Sequence, residues 1–360
     1  MSFVVHGLGL ALPPTRLEQH HALALARRMW SAGEDSDRAQ QALYRRAGVA
    51  TRHVVLDPTG AAPLRLAGAE PARIPTTAER MLAFERLAPP LAIASARAAL
   101  EQARLPASAI THVITVSCTG ATAPGIEFAL IDALGLSRGV ARTHVGFMGC
   151  YAALSGLRVA RAFCAADPDA VALVSCVELC SLHFHYGTDP DRLVANALFS
   201  DGAAAIVGSA CPRPGAWSLR ACGSTIVPAT ADAMSWTVRD HGFAMSLSAR
   251  VPDVIEHELA TFVDAWLDRL GLRRDALRSF AVHPGGPRVL DAVERALGLD
   301  RAATAVSRAV LSELGNLSSP TVLFILDRLR AIEAPTPCLA LAFGPGLVVE
   351  AALFDRTPAN

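Results

Sequence analysis

Thr143-His-Val-Gly-Phe-Met-Gly-Cys150-Tyr-Ala-Ala-Leu-Ser-Gly-Leu157 is the stretch on which the reading of this chain turns. A β-type run from Thr143 to Phe147 passes through Gly149 and sets a cysteine on the first turn of an apolar, alanine-rich helical pattern. Strand, tight turn and helix in direct succession are the signature of an α/β architecture. At a helix start, backbone N–H groups and the positive end of the dipole favour a thiolate, so the position predicts a nucleophilic Cys150.

The pattern repeats outward from this unit. Upstream, residues 3–10 read as an opening strand, Leu17 to Ala47 as largely helical, and 57–77, rich in Pro, Gly and Ala, as an irregular surface stretch. Thr77 is expected to cap a long helix running to about Arg104, kinked at Pro89-Pro90. His112–Val116 and Ala170–Cys176 read as buried strands, and Leu198–Val207 as a turn entering another. Downstream come strands at 219–227, 280–283, 338–342 and 347–354, and helices over 251–270 and from Ser318 to about Ile332. Near-continuous apolar strands alternating with helices predict buried sheets. Two comparable halves, 1–210 and 211–360, suit the length of 360 residues better than one doubly wound sheet.

Composition narrows the function. The chain is 52% hydrophobic and 18% charged with a formal net charge of zero, which argues against nucleic-acid steering or a polybasic membrane patch. All its basic residues are arginine. The eight cysteines lie scattered in apolar runs without a CxxC pair, and no apolar run reaches a membrane-spanning length, so a cytoplasmic protein with reduced thiols is expected. His183 and His185 alternate along an extended pattern but lack a third ligand nearby, and no metal site is expected.

A thiolate nucleophile needs a base or cationic partner, and an acyl substrate needs donors for its oxyanion. His283 ends a strand before Pro284-Gly285-Gly286, and Asn316 lies in Gly315-Asn-Leu-Ser-Ser319 just before a helix start. Both stand at junctions where α/β folds gather their sites, although eleven histidines leave the partner of Cys150 open on these grounds alone.

Five strings extend the argument: Gly146–Ala153, Ala197–Ala205, Ala281–Pro287, Leu314–Ser319 and Phe343–Glu350. In this order, over roughly residues 80–355, they resemble the type III polyketide synthases, the chalcone synthase-like branch of the thiolase superfamily. The resemblance implies a homodimer of thiolase-like αβαβα halves that loads an acyl-CoA starter on cysteine and extends it with malonyl-CoA. The CoA thioesters are substrates, and no cofactor is implied. Cys150 matches the acyl-accepting nucleophile. His283 matches the histidine that keeps it as thiolate and, with Asn316, binds the thioester oxygen.

The resemblance also assigns the cavity. Phe199 matches a phenylalanine between tunnel and cavity. Met245 replaces a second gatekeeper phenylalanine and Trp236 a cavity glycine. Cys118, Cys180 and His183 replace threonines, Ala123 replaces a methionine reaching into the partner subunit, and Ser318 falls among the substrate-binding residues. The Ala123-Pro124 bond is expected to be cis. Arg45, Arg46 and Arg52 lie where the family binds CoA phosphates, though solvated charges on a helix end would look the same. Asp201 is expected to bond its own turn. These replacements put an aromatic plant-type starter in doubt and leave a fatty acyl starter and malonyl alone as alternatives. A ketoacyl synthase III-like acyltransferase and a non-catalytic partner subunit are the competing functions.

Overall fold

The strands form because apolar, β-branched runs alternate their side chains between two buried faces. Val171–Leu179 shows the rule: Ala172, Val174 and Cys176 face one core, while Leu173, Val177 and Leu179 face another. The computed structural model describes residues 2–30, 33–56, 74–185 and 190–358, so most of the stretch expected to be irregular at 57–77 lies outside the described residues.

Among the described residues there are thirteen strands: β1 (Phe3–Ala11), β2 (Thr15–Glu18), β3 (Thr51–Val54), β4 (His112–Ser117), β5 (Ala141–Gly146), β6 (Val171–Leu179), β7 (Asp201–Ser209), β8 (Trp217–Ile226), β9 (Met234–Arg239), β10 (Gly242–Leu247), β11 (Ser279–Val282), β12 (Cys338–Gly344) and β13 (Val348–Arg356). Nine of them join in the order β11-β12-β13-β8-β1-β7-β6-β4-β5. The run β1-β7-β6-β4 is paired antiparallel, antiparallel, parallel, and β8-β13-β12-β11 repeats that sequence of pairings. Strands β9 and β10 form a separate hairpin, with Met245 opposite Trp236, in a stretch to which the sequence reading assigned no element.

The helices are α1 (Gln19–Trp30), α2 (Glu34–Arg46), α3 (Thr77–Ala103), α4 (Ile126–Leu134), α5 (Ala152–Ala166), α6 (Pro190–Leu198), α7 (Val251–Asp268), α8 (Pro287–Leu297), α9 (Ala305–Leu314) and α10 (Thr321–Ala331). Helix α3 is capped by Thr76 rather than Thr77, because Glu79 completes a capping box with Thr76, and it continues through Pro89-Pro90.

Five layers result. Helices α3 and α4 cover one face of the β1–β7–β6–β4 half, and α7 and α8 cover the far face of the β8–β13–β12–β11 half. Between them lie α5 and α10. Their burial explains their composition: Ala152, Ala153, Leu154 and Leu157, like Val322, Leu323, Ile325 and Leu326, are apolar nearly all round, as a helix packed on both sides must be. This αβαβα stacking sends the starts of α5 and α10 to the same place.

A candidate active site at the starts of two buried helices

Cys150 occupies a 3-10 turn, Gly149–Tyr151, that leads into α5. Phe147 and Gly149 have positive φ values of 56° and 77°, which reverse the chain between β5 and the turn. A Cβ at position 149 would lie 2.3 Å from Pro345 Cδ, so only glycine lets the Gly344-Pro345-Gly346 bend approach this closely. Cys150 is 8% exposed. Burial pushes its thiol up to about 12, while hydrogen bonding to the Ser318 and Asn316 side chains pulls it back down. The helix-start position was expected to favour the thiolate. At this depth the loss of water outweighs the backbone contribution, and the resting thiol is protonated.

Asn316 and Ser318 stand on the turn before α10. Asn316 Oδ1 accepts from the Ser318 N–H at 2.8 Å and from Thr321 Oγ1 at 3.5 Å, so its amide NH2 is the end left for the thiol. Ser318 has a φ of 58°, a left-handed conformation that turns its hydroxyl toward Cys150, whose Sγ–H donates to Oγ across 3.7 Å. The turn is tied to the 198–200 segment by backbone bonds, Asn316 N to Leu198 O and Ser200 N to Asn316 O, each 2.9 Å. Phe199 is thereby fixed beside Asn316.

His283 follows β11 and donates its backbone N–H to Leu341 O of β12 at 2.8 Å. Met148 and Tyr151, flanking Cys150, pack against Gly344 at the end of the same β12. His283 is 1% exposed, and neither Nδ1 nor Nε2 has a hydrogen-bond partner among the described residues. Burial lowers the imidazole to about 3, which makes it neutral. The candidate cysteine, asparagine and histidine thus come from three turns gathered at one end of the two half-sheets.

Sequence reading missed Glu178. It is fully buried at the end of β6 and accepts hydrogen bonds from Cys118 N (2.9 Å), Ser117 Oγ (3.3 Å), Thr119 Oγ1 (2.7 Å) and Ser319 Oγ (2.5 Å). Burial raises its carboxyl and these donors hold it down. The signal was available: a glutamate inside the apolar run Val171–Leu179 needs partners to be buried there. Its carboxylate joins the end of β4, the end of β6 and the turn before α10. Cys118 extends the network, because its Sγ accepts from the Gly149 N–H at 3.0 Å and so braces the residue before Cys150.

A cleft of about 1150 Å³, counting its open mouth, reaches Cys150 and Ser318 and is lined by Phe199, Met245, Trp236, Cys118, Cys180 and His183. Trp236 donates its indole N–H to Cys118 O at 2.7 Å. His183 Nε2 lies 2.7 Å from Thr119 O, and its Nδ1 accepts from Phe243 N at 3.0 Å, which fixes the neutral tautomer and occupies both nitrogens. Its ring stacks on Phe243 at 4.2 Å and meets Trp236 edge-on at 5.5 Å. Among the described residues no cluster of three or more His, Cys, Asp or Glu is arranged to hold a metal ion, and no helix is long and apolar enough to cross a membrane.

Two expectations are corrected. Arg52 is 3% exposed, and its terminal nitrogens donate to the carbonyls of Asn196, Ala197 and Phe199 and to Gln19 Oε1, so its charge serves the end of α6 instead of meeting a phosphate. Arg45 and Arg46 stand exposed in the last turn of α2. Asp201 does not close its own turn. It accepts from Ser181 N and Val55 N, both 2.7 Å, and from Ser181 Oγ. The Ala123–Pro124 peptide is cis.

Residues 4–212 match the N-terminal domain of the chalcone and stilbene synthases, and residues 218–358 match the C-terminal domain. The chain is 32% identical to "Alpha-pyrone synthesis polyketide synthase-like Pks18" of Mycobacterium tuberculosis, across 97% of this chain and 95% of that protein. It is also 32% identical to "Probable polyketide synthase 1" of Dictyostelium discoideum, but there it spans only 11% of the longer protein. Among solved structures it resembles PKS-I of the brown alga Ectocarpus siliculosus, with a TM-score of 0.91, 32% identity and 99% and 98% of the two chains covered. The C-terminal type III polyketide synthase domain of Steely1 from Dictyostelium also gives 0.91, with 30% identity over 99% and 100%.

Proposed function

The chain belongs to the chalcone and stilbene synthase family and is a type III polyketide synthase, a condensing acyltransferase, and on that premise we propose that Cys150 carries the growing acyl group, extended from malonyl-CoA with His283 and Asn316. In loading, the Cys150 proton passes to His283 while sulfur attacks the acyl-CoA carbonyl; CoA leaves as the thiol, taking the proton back. In extension, malonyl-CoA loses CO2 and its electron pair moves onto the thioester oxygen as an enolate. N–H groups of His283 and Asn316 stabilise that charge. The enolate carbon then attacks the Cys150 thioester, freeing the sulfur and giving a β-ketoacyl-CoA.

The observation that carries this reading is His283, buried at the sheet end that holds Cys150 with two ring nitrogens that have no partner among the described residues. An orphaned buried polar group costs about 1–3 kcal/mol, and a substrate oxygen or a thiol proton gives it a partner. Phe199 lines the cleft and is fixed to Asn316, where an aromatic face keeps water from the departing carboxylate. The substrates are acyl-CoA, which donates the starter, and malonyl-CoA, which extends it, with no further cofactor, and cyclisation to a pyrone or phenolic ring follows. The same reading makes the enzyme a homodimer. Among the described residues β5 ends the sheet with an unpaired edge, and beyond it Phe147 and Met148 are 40% and 38% exposed.

The test supplies malonyl-CoA with acyl-CoAs of varied chain length to wild type and to Cys150→Ala, with products and protein adducts read by mass. Condensed products and an adduct at Cys150 are expected only in wild type. Condensed products that persist in Cys150→Ala would sink the mechanism.

A further inference from the structure

The turn that carries Cys150 is also held from a side that the proposed chemistry does not use. Phe147, on the same turn, has a φ of 56°, a left-handed conformation that suits glycine and is costly for an aromatic residue. Its ring does not line the cleft, but it meets Phe243 of β10 at 5.4 Å. Phe243 in turn stacks on His183 at 4.2 Å and meets Trp236 of β9 edge-on at 5.9 Å. Trp236 gives its indole N–H to Cys118 O at 2.7 Å. The Cys118 thiol then makes two bonds to Gly149, accepting from its N–H at 3.0 Å and donating to its carbonyl at 3.5 Å. These contacts close a circuit that leaves the turn at Phe147 and returns to it at Gly149. A further tie, from Gly346 N–H to Met234 O at 2.9 Å, joins the base of the hairpin to the bend that packs on Gly149.

We propose that the β9–β10 hairpin is a brace for the nucleophile turn, with Phe147 and Trp236 as positioning residues for Cys150. The inference rests on the acyl-loading role proposed for that thiol. Among the described residues β9 and β10 pair only with each other, and the far end of the hairpin is anchored to α3, where Thr77 bonds Arg239 O and the Gly242 N–H. The hairpin is thus an arm fixed at α3 and pressed on the Cys150 turn at its other end. A strained residue persists where its surroundings over-determine it. The ring contact of Phe147 offsets what its backbone loses and sets the direction in which the chain leaves β5 for Cys150.

Phe147→Gly separates positioning from folding, since it relieves the backbone while deleting the ring. Its urea midpoint should stay at or above that of wild type. Loading of Cys150 from acetyl-CoA, whose short acyl group makes little use of the cleft wall, is read in a single turnover by intact mass and CoA release. Its maximal rate should fall about tenfold with half-saturation little changed, where a 1 Å misplacement can cost about 10²-fold. Alkylation by iodoacetamide, read on the Cys150 peptide, should not fall, because that reagent needs the thiol but not its alignment. Phe147→Tyr should keep the wild-type rate. Trp236→Phe retains a ring for Phe243 and loses the donor to Cys118, and should slow loading by a similar factor. Both changes open one circuit, so the double variant should be slowed by less than the product of the two. Unchanged loading in either folded variant, or loading slowed only in step with alkylation, would overturn the brace. If Phe147→Gly does not fold or alters the oligomeric state, Trp236→Phe decides alone. No Cys150 adduct in wild type defeats the loading role and this inference with it, whereas normal wild-type adducts with unaffected variants defeat the brace alone.

Discussion

Asn316 separates the two halves of the proposed chemistry. Its oxygen belongs to the fold, accepting from Ser318 N and Thr321 Oγ1, and its amide nitrogen is the end that the proposal gives to the oxyanion. Asn316→Ala removes both. The Ser318 N–H then loses its partner inside the protein, which costs about 1–3 kcal/mol of stability. Loss of one donor from an oxyanion site lowers the rate of the step it serves by about 10² to 10³. That step is enolate formation from malonyl-CoA, where the full charge develops on the thioester oxygen.

Asn316→Asp isolates the second effect. The carboxylate still accepts from Ser318 N and Thr321, so the turn should hold, but a negative group now faces the developing enolate. CO2 release from malonyl-CoA should fall at least as far as in the alanine variant, with stability closer to wild type. Acylation of Cys150 by the starter, followed by intact mass in a single turnover, should fall less than extension in Asn316→Ala. Extension reduced less than tenfold in that variant, or CO2 release preserved in Asn316→Asp, would refute the assignment of the amide to the oxyanion.

Two more expectations follow from buried groups away from the thiol. Glu178→Gln places an NH2 where at least one of four donors now points, so the variant should lose about 3 kcal/mol in urea unfolding; an unchanged midpoint would show that the carboxylate network adds nothing. His6, 2.7 Å from Ser209 Oγ, is lowered to about 4 by burial and secondarily by Arg213. Its unfolded form takes up a proton near pH 6.5 and its folded form only near 4, so the stability tied to the neutral ring is complete above 6.5. It is lost as pH falls between those values, by at most about 1.4 kcal/mol per unit, and His6→Gln should flatten the dependence of the urea midpoint on pH there.

Much of the architecture was legible because burial on both faces leaves a plain mark. The apolar runs at 171–179 and 338–344 are readable as interior strands, and the all-round apolar character of 152–157 and 321–326 foretells helices in a middle layer. The hairpin at 234–247 leaves a fainter mark: Met234-Ser-Trp-Thr-Val-Arg239 alternates apolar and polar residues at the strand period, but the run is short and its stability comes from cross-strand pairs that one strand alone does not show. Arg45, Arg46 and Arg52 looked alike in sequence. Only packing distinguishes Arg52, because the acceptors that bury it lie about 145 residues away on α6. Glu178 was the converse case, where one charge in an apolar strand implied partners that no local pattern could name.

The electrostatics of the site follow from the same burial. A helix start near the thiol favours the anion, but that contribution is about 0.3–1 kcal/mol at ordinary sites, and desolvation pushes Cys150 up to about 12 and His283 down to about 3. Both groups therefore rest neutral, and a proton moved from one to the other creates two charges in a dry pocket. Such a pair is costly alone and becomes favourable when an acyl carbonyl takes up the sulfur's electrons as they form. On the roles proposed for these residues, such a site spares Cys150 from indiscriminate attack and leaves the N–H groups of His283 and Asn316 for the charge on the malonyl thioester oxygen. On the same proposal a neutral His283 keeps its N–H for the enolate, whereas an imidazolium fixed against a thiolate would have its proton committed before the enolate appeared.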